Sequence, residues 1–226
     1  MSELFPLLIN HKKSFTPVLT ILSHPEKLIK VDFSTKNQEI KCINIENVAV
    51  FAKYIQQLLI REGKEAAYGG YLERRDFYKR SKIFKSGLEI RDVHLGIDIW
   101  VKMPEPVFAP YDGVIHSFAI NSGNGNYGGT IILQHEIEGR VFYTLYGHLS
   151  HASINGLTRG QKVVSGQQIG YLGEPHENGY WAPHLHFQII KDMLNHEGDF
   201  PGTCTVSNVN YYRLICPDPS VILKLE

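Results

Sequence analysis

Pro183-His184-Leu185-His186-Phe187-Gln188-Ile189-Ile190 is an apolar run interrupted by two histidines two residues apart. In a strand, residues i and i+2 share a face. The spacing therefore predicts a strand over residues 184–190, with His184 and His186 on one side and Leu185 and Phe187 on the other. A single buried histidine is commonly a hydrogen-bonded core residue. Two on one face raise a second reading, because imidazole is the commonest metal ligand. That reading needs further ligands elsewhere in the chain.

Upstream lies His94-Leu95-Gly96-Ile97-Asp98. A histidine and a carboxylate four apart can share a face of a helix or a strand, and Gly96 favours an extended or bent backbone. His94, Asp98 and one histidine of the later pair would supply two nitrogens and one oxygen. Catalytic zinc sites keep three protein ligands and leave the fourth position to water. The donor set suits zinc without excluding iron or manganese, and a purely structural site would want a fourth side chain. A third cluster, Tyr146-Gly147-His148-Leu149-Ser150-His151, places His148 beside a glycine at a strand end. Next to a metal, His148 becomes a candidate acid or base, or a partner for an oxyanion.

The chain has 226 residues, zero formal net charge and no basic run or acidic tail, so nothing in its composition asks for nucleic acid. No apolar run approaches the roughly 18 residues of a membrane span. The N-terminus carries an acid where a signal peptide has lysines, and Pro6 interrupts its short apolar stretch. Cys42, Cys204 and Cys216 are scattered and form no CxxC, so neither a disulfide framework nor a cysteine zinc site is expected. A cytoplasmic protein is the expectation.

Two regions differ in texture, 1–88 and 89–226. The first reads as an α+β extension, a wall or lid for a groove. Within it, Phe15–Leu22 and Leu28–Phe33 are expected strands. Ile45, Val48, Ala49, Ala52, Ile55 and Leu59 recur at helical spacing, with Asn44 as the expected cap and Gly63 as the stop. The aromatic and charged segment Tyr68–Tyr78 reads as a solvated connector, with the border of a binding groove as the alternative. From about residue 88, short β-branched and aromatic runs alternate with glycine turns. Residues 130–136 and 140–146 read as a hairpin around Glu138-Gly139. With no long helical pattern between these strands, the sheet should be antiparallel. Asn124-Gly125-Asn126-Tyr127-Gly128-Gly129 precedes a strand instead of opening a helix, so it fails the context of a phosphate-cradling loop. Cys216-Pro217-Asp218-Pro219 reads as coil.

Residues 89–190 resemble the LytM-type, lysostaphin-like M23 family of zinc metallopeptidases. The match lies in His94-x-x-x-Asp98, Gly147-His148-Leu149-Ser150 and His184-x-His186, in that order. Pro106–Val114 and Gly160–Gly170 look like the family's scaffold. The resemblance implies a mainly β fold, an antiparallel sheet or sandwich with a narrow groove and one Zn2+ on its floor. It assigns His94, Asp98 and His186 to the metal, and His148 and His184 to the catalytic pair beside it. It implies hydrolysis of peptide bonds by metal-activated water, with a peptide or amide substrate that is cell-wall-derived in much of the family. In a narrower form, Tyr68-Gly69-Gly70-Tyr71 and Gly198-Asp199-Phe200-Pro201-Gly202, with the three motifs, resemble M23-like domains fused to cytosolic kinase and aminotransferase domains. The alternatives are a non-catalytic metal- or peptide-binding module and a small-molecule amidase using the same site. A pro-segment ligand for the open metal position would come from Asn10, His11 or His24. His116, His135, His151, His176 and His196 are expected to be incidental.

Overall fold

The strand expected at residues 184–190 runs over Leu185–Ile190 and sits near the middle of the largest sheet. A computed structural model of the chain describes residues 4–45, 47–80 and 82–225. Among the described residues this sheet has eight strands. Their spatial order is Leu28–Lys30, Ala66–Gly69, Ile97–Trp100, Leu185–Ile190, Arg140–Leu149, Gly128–Ile137, Gly113–Asn121 and Lys162–Val163. Each neighbouring pair is antiparallel except the first, where Leu28–Lys30 runs parallel to Ala66–Gly69. The fold is mainly β, and the sheet is mixed at that one edge.

Alternation along Leu185–Ile190 separates core from site. Leu185, Phe187 and Ile189 face the main core with Ile97, Ile99, Ile131, Leu133 and Tyr146. Leu8, Phe15, Leu19 and Ile222 close that core from the two ends of the chain. Fully burying a side chain such as Phe187 is worth about 1.5–3 kcal/mol. The opposite face carries His184, His186 and Gln188, all buried. The Gly128–Ile137 and Arg140–Leu149 strands form the expected hairpin. Glu138 and Gly139 both take positive φ, 49° and 73°, which matches a two-residue turn to the strand twist.

The N-terminal region departs from its sequence reading. Phe15–Leu22 is coil followed by a 3-10 turn at Thr20–Ser23. Pro17 lacks the N–H a central strand needs, and Thr16 instead bonds Pro110 and Ala109 through its backbone and hydroxyl. The long helix is Val48–Glu62, capped by Asn47 and not Asn44. The Asn47 side chain accepts from the Val50 N–H at 3.2 Å, while Asn44 takes part in the preceding turn. Gly63 ends the helix at φ 62°, the left-handed position where glycine avoids a Cβ penalty. At the other end of the chain, the Cys216–Pro219 linker separates two short helices, Val209–Ile215 and Ser220–Leu223.

Candidate metal centre

Four strands place one row of residues across the sheet. Gly69 pairs with Asp98, Asp98 with His186, and His186 with Gly147. The glycines flanking this row make room for rings. A Cβ at Gly96 would come within 2.6 Å of the His186 ring, and one at Gly147 within 2.5 Å of the Tyr127 ring. His94 approaches from the short strand Val93–His94, which is paired to Thr203–Cys204 outside the main sheet.

His94, Asp98 and His186 converge. His94 Nε2 lies 2.9 Å from His186 Nδ1. His186 Nδ1 lies 3.1 Å from Asp98 Oδ1, and His94 Nε2 lies 3.3 Å from the same oxygen. The outer partners fix the protons. His94 Nδ1 sits 3.0 Å from the Gly70 carbonyl, which only accepts, so Nδ1 carries the hydrogen and Nε2 a lone pair. Gln188 donates its amide N–H to Pro201 O, which turns its Oε1 toward His186 Nε2 at 3.0 Å. His186 Nε2 therefore carries the hydrogen and Nδ1 a lone pair. Three acceptors face one another with no proton among them, and such an arrangement calls for a cation. A tetrahedral zinc with bonds of about 2.0–2.1 Å needs donor separations of about 3.3 Å, close to the three distances seen. The residues fit the metal.

His148 and His184 stand beside this triangle. His184 Nδ1 donates to Ala182 O at 2.7 Å, and His148 Nδ1 donates to Asn178 O at 2.8 Å. Each ring is left with a lone pair on Nε2, and His184 Nε2 lies 3.7 Å from Asp98 Oδ1. The two ring centroids are 4.3 Å apart. His148 sits at φ 65°, where a register shift breaks the ladder between Tyr146 and Leu149. Its backbone N–H donates to Tyr127 O at 2.8 Å. Burial, reinforced by His184 and His186, holds His148 well below the usual imidazole range. Burial also lowers His184, against the pull of Asp98. Burial and then Arg75 lower His94 to about 3. Burial alone would raise the Asp98 carboxyl, but His94 and Arg75 outweigh it and hold it well below its ordinary value.

A cavity of about 260 Å3 opens over the cluster. Its walls include Tyr78, Phe84 and Trp181, which pack together, with ring centroids 6.3 Å apart for Tyr78–Trp181 and 6.5 Å for Phe84–Trp181. Trp100 stacks on His184 at 5.3 Å, and its buried Nε1–H has no hydrogen-bond partner among the described residues. Three parts of the site had no place in the sequence reading. Gln188 was signalled, since it follows His186 by two on the same face. Tyr127 lay in a glycine-rich loop with no pattern of its own, yet its hydroxyl is 3.4 Å from His186 Nε2. Arg75 lay in the expected solvated connector, but it is 1% exposed and bonds Asp98 Oδ2 at 2.5 Å. Tyr78 of that segment is buried too. The suggested pro-segment donors are engaged elsewhere: His11 bonds Glu138 at 2.9 Å, and His24 lines a separate cavity beside the long helix. Neither they nor Asn10 line the cleft. His196, read as incidental, does line it.

Residues 92–197 match the sequence model of peptidase family M23. This stretch is an M23 peptidase domain. The M23 domain also aligns with the peptidoglycan DD-endopeptidase ShyC of Vibrio cholerae, 31% identical over 102 residues, covering 45% of this chain and 21% of the relative. The chain thus spans about a fifth of that protein's length. Among solved structures it is similar to a zinc-containing peptidase from Vibrio cholerae, with 28% identity, 43% of this chain and 27% of the other covered, and a TM-score of 0.34. It is also similar to the catalytic domain of lysostaphin from Staphylococcus simulans, with 27% identity, coverage of 70% and 97%, and a TM-score of 0.38. The site residues from His94 to His186 all fall within the matched stretch, whereas Arg75 and Tyr78 lie before it. No helix among the described residues is long and apolar enough to cross a membrane.

Proposed function

We propose that the protein is a zinc-dependent hydrolase of peptide or amide bonds, with His94, Asp98 and His186 holding one zinc and His148 and His184 acting beside it. The observation that carries this reading is the convergence of His94 Nε2, Asp98 Oδ1 and His186 Nδ1 within 2.9–3.3 Å of one another. When bound, zinc supplies a Lewis acid for a carbonyl and makes water more acidic near neutral pH.

The chain's own groups supply the rest. His148 and His184 anchor Nδ1–H on backbone carbonyls and turn Nε2 toward the cavity. Burial keeps both rings neutral, so each has a lone pair ready to take a proton at Nε2 and return it to a leaving amine. Protonated, either ring becomes a donor for developing negative charge on a carbonyl oxygen. Burial keeps the Tyr127 phenol protonated, far above its ordinary range, so it stays a donor in the same cleft. A purely metal-binding or peptide-binding module has no need of two unliganded histidines with Nε2 held free.

The substrate class follows from the family and the walls. The DD-endopeptidase relative supports a peptide, with cell-wall peptides as one source. The cavity of about 260 Å3 falls below the ~300–1,000 Å3 usual for ligand pockets. It accommodates a short peptide segment or a small amide. The deciding experiment measures zinc per chain by mass spectrometry, with hydrolysis of short glycine- and alanine-containing peptides and of isolated peptidoglycan. About one zinc per chain, and cleavage lost on chelation and restored by zinc, is the expected result. A protein that takes up no zinc when supplied with it overturns the proposal.

A further inference from the structure

Arg75 is the most deeply buried large cation in the molecule's described part, at 1% exposure. Burying a charge costs several kcal/mol unless it is paired and hydrogen-bonded, so its partners reveal what it is for. Nη1 donates to Asp98 Oδ2 at 2.5 Å and to the Tyr78 hydroxyl at 3.0 Å. Nε donates to Glu73 Oε2 at 2.6 Å, and Nη2 to Gly69 O at 3.3 Å. The guanidinium carbon also lies 5.5–5.9 Å from the ring centres of Phe33, Phe77 and Tyr78. Each nitrogen of the Arg75 guanidinium is therefore bonded within the protein. Of the three converging side chains it bonds Asp98, through the outer oxygen, while the inner oxygen of Asp98 faces His94 and His186.

The backbone around it is shaped for this contact. A Cβ on Gly70, at φ 108°, would overlap the Arg75 guanidinium. The same Gly70 offers its carbonyl to His94 Nδ1. Gly69 takes Arg75 through its carbonyl and pairs with Asp98 across the sheet. One short segment, 69–75, thus holds two of the three converging side chains from behind. A bare cation so near a metal would repel it. Glu73 offsets that charge on Nε, and its other oxygen is fixed by the Phe33 N–H at 2.8 Å.

We propose that Arg75 is a positioning residue that ties up Asp98 Oδ2, so that Asp98 presents a single oxygen to the metal. This makes the segment before the matched M23 domain an integral part of the metal centre. The inference rests on the reading that His94, Asp98 and His186 hold zinc. Partners that orient metal ligands typically contribute 10–100-fold in affinity. A lysine cannot reproduce the planar fork that serves Asp98, Tyr78, Glu73 and Gly69 together.

The test compares the full chain with Arg75→Met, Arg75→Lys and Arg74→Met. Arg74 is the control for charge, since it is half exposed and pairs with Asp92. Zinc affinity is measured by competition with a chromogenic chelator, and coordination by the visible absorption of the cobalt(II)-substituted proteins. Expected are a 10–100-fold weaker zinc affinity for Arg75→Met and a smaller loss for Arg75→Lys. Both should show a changed cobalt spectrum as Oδ2 is released, while Arg74→Met matches wild type. A folded Arg75→Met with wild-type affinity and spectrum overturns the inference. If Arg75→Met does not fold, Arg75→Lys decides on the same two readouts. Wild-type protein that binds no zinc would instead overturn the metal reading itself, which separates the two failures.

Discussion

His135 and the histidines of the candidate metal centre are equally hidden from solvent, but their ring nitrogens are used differently. His135 Nδ1 donates to Asp112 O at 2.9 Å, and Nε2 accepts from the Thr144 hydroxyl at 2.8 Å. Thr144 in turn accepts from Tyr146 at 2.9 Å, so every group in that chain is satisfied. At the centre, His94, His148 and His184 each spend Nδ1 on a backbone carbonyl, and His186 spends Nε2 on Gln188. The second nitrogen of each is left proton-free and faces the cavity or its neighbours. Burial does not distinguish His135 from the clustered histidines; the unspent lone pair does.

The comparison breaks most sharply at His186. His186→Ala should remove one of three converging donors and leave the protein with no tightly held zinc and no hydrolytic activity, read by metal analysis and a peptide-cleavage assay. Retention of one zinc per chain would mean the ion is held elsewhere. His148→Ala should keep its zinc and slow hydrolysis by roughly 100-fold or more, the contribution of a general acid–base group. Equal metal loss in both variants would erase the division between ligand and non-ligand rings.

His135→Leu should do the reverse of both. It leaves Asp112 O without the ring N–H and the Thr144 hydroxyl without an acceptor for its proton, so a loss of about 1–3 kcal/mol in unfolding free energy is expected. Zinc content and turnover should stay at wild-type values. A fall in zinc would show that the two histidine groups are coupled.

The most gradual effect is in acid. Burial lowers His135 to about 4, below its unfolded value of about 6.5. Between those values the unfolded chain binds the proton and the folded chain does not, so stability is lost as pH falls through that window. The wild type should therefore lose about 1 kcal/mol per pH unit more than His135→Leu from pH 6.5 down to 4, seen as converging denaturation curves. Parallel curves would show that His135 is protonated in the folded state.

Local pattern made much of this fold readable. Alternation over residues 184–190 and the Glu138-Gly139 turn specify strand faces and a hairpin through contacts close in sequence. The helix body was readable for the same reason, and its start was misplaced because two asparagines, Asn44 and Asn47, offer the same capping chemistry. Phe15–Leu22 misled because its apolar residues serve the core from coil. The Tyr68–Tyr78 segment was half legible: it does border the groove, through Arg75, Phe77 and Tyr78, but it is not a solvated connector. Its charges look solvated in sequence, and only the Asp98 carboxylate 23 residues from Arg75 explains why one of them is buried.

The sequence by itself determined a mainly β chain and brought forward three short histidine motifs, because side-chain periodicity and turn chemistry act over a few residues. Tertiary structure alone decided which nitrogen of each ring carries the proton, since the deciding partners are distant: Gly70 for His94, and Asn178 for His148. It also decided that Arg75 stands behind Asp98. A buried charge is tolerated only where strands from separate parts of the chain deliver its counter-charges to one place, and no local pattern encodes that meeting.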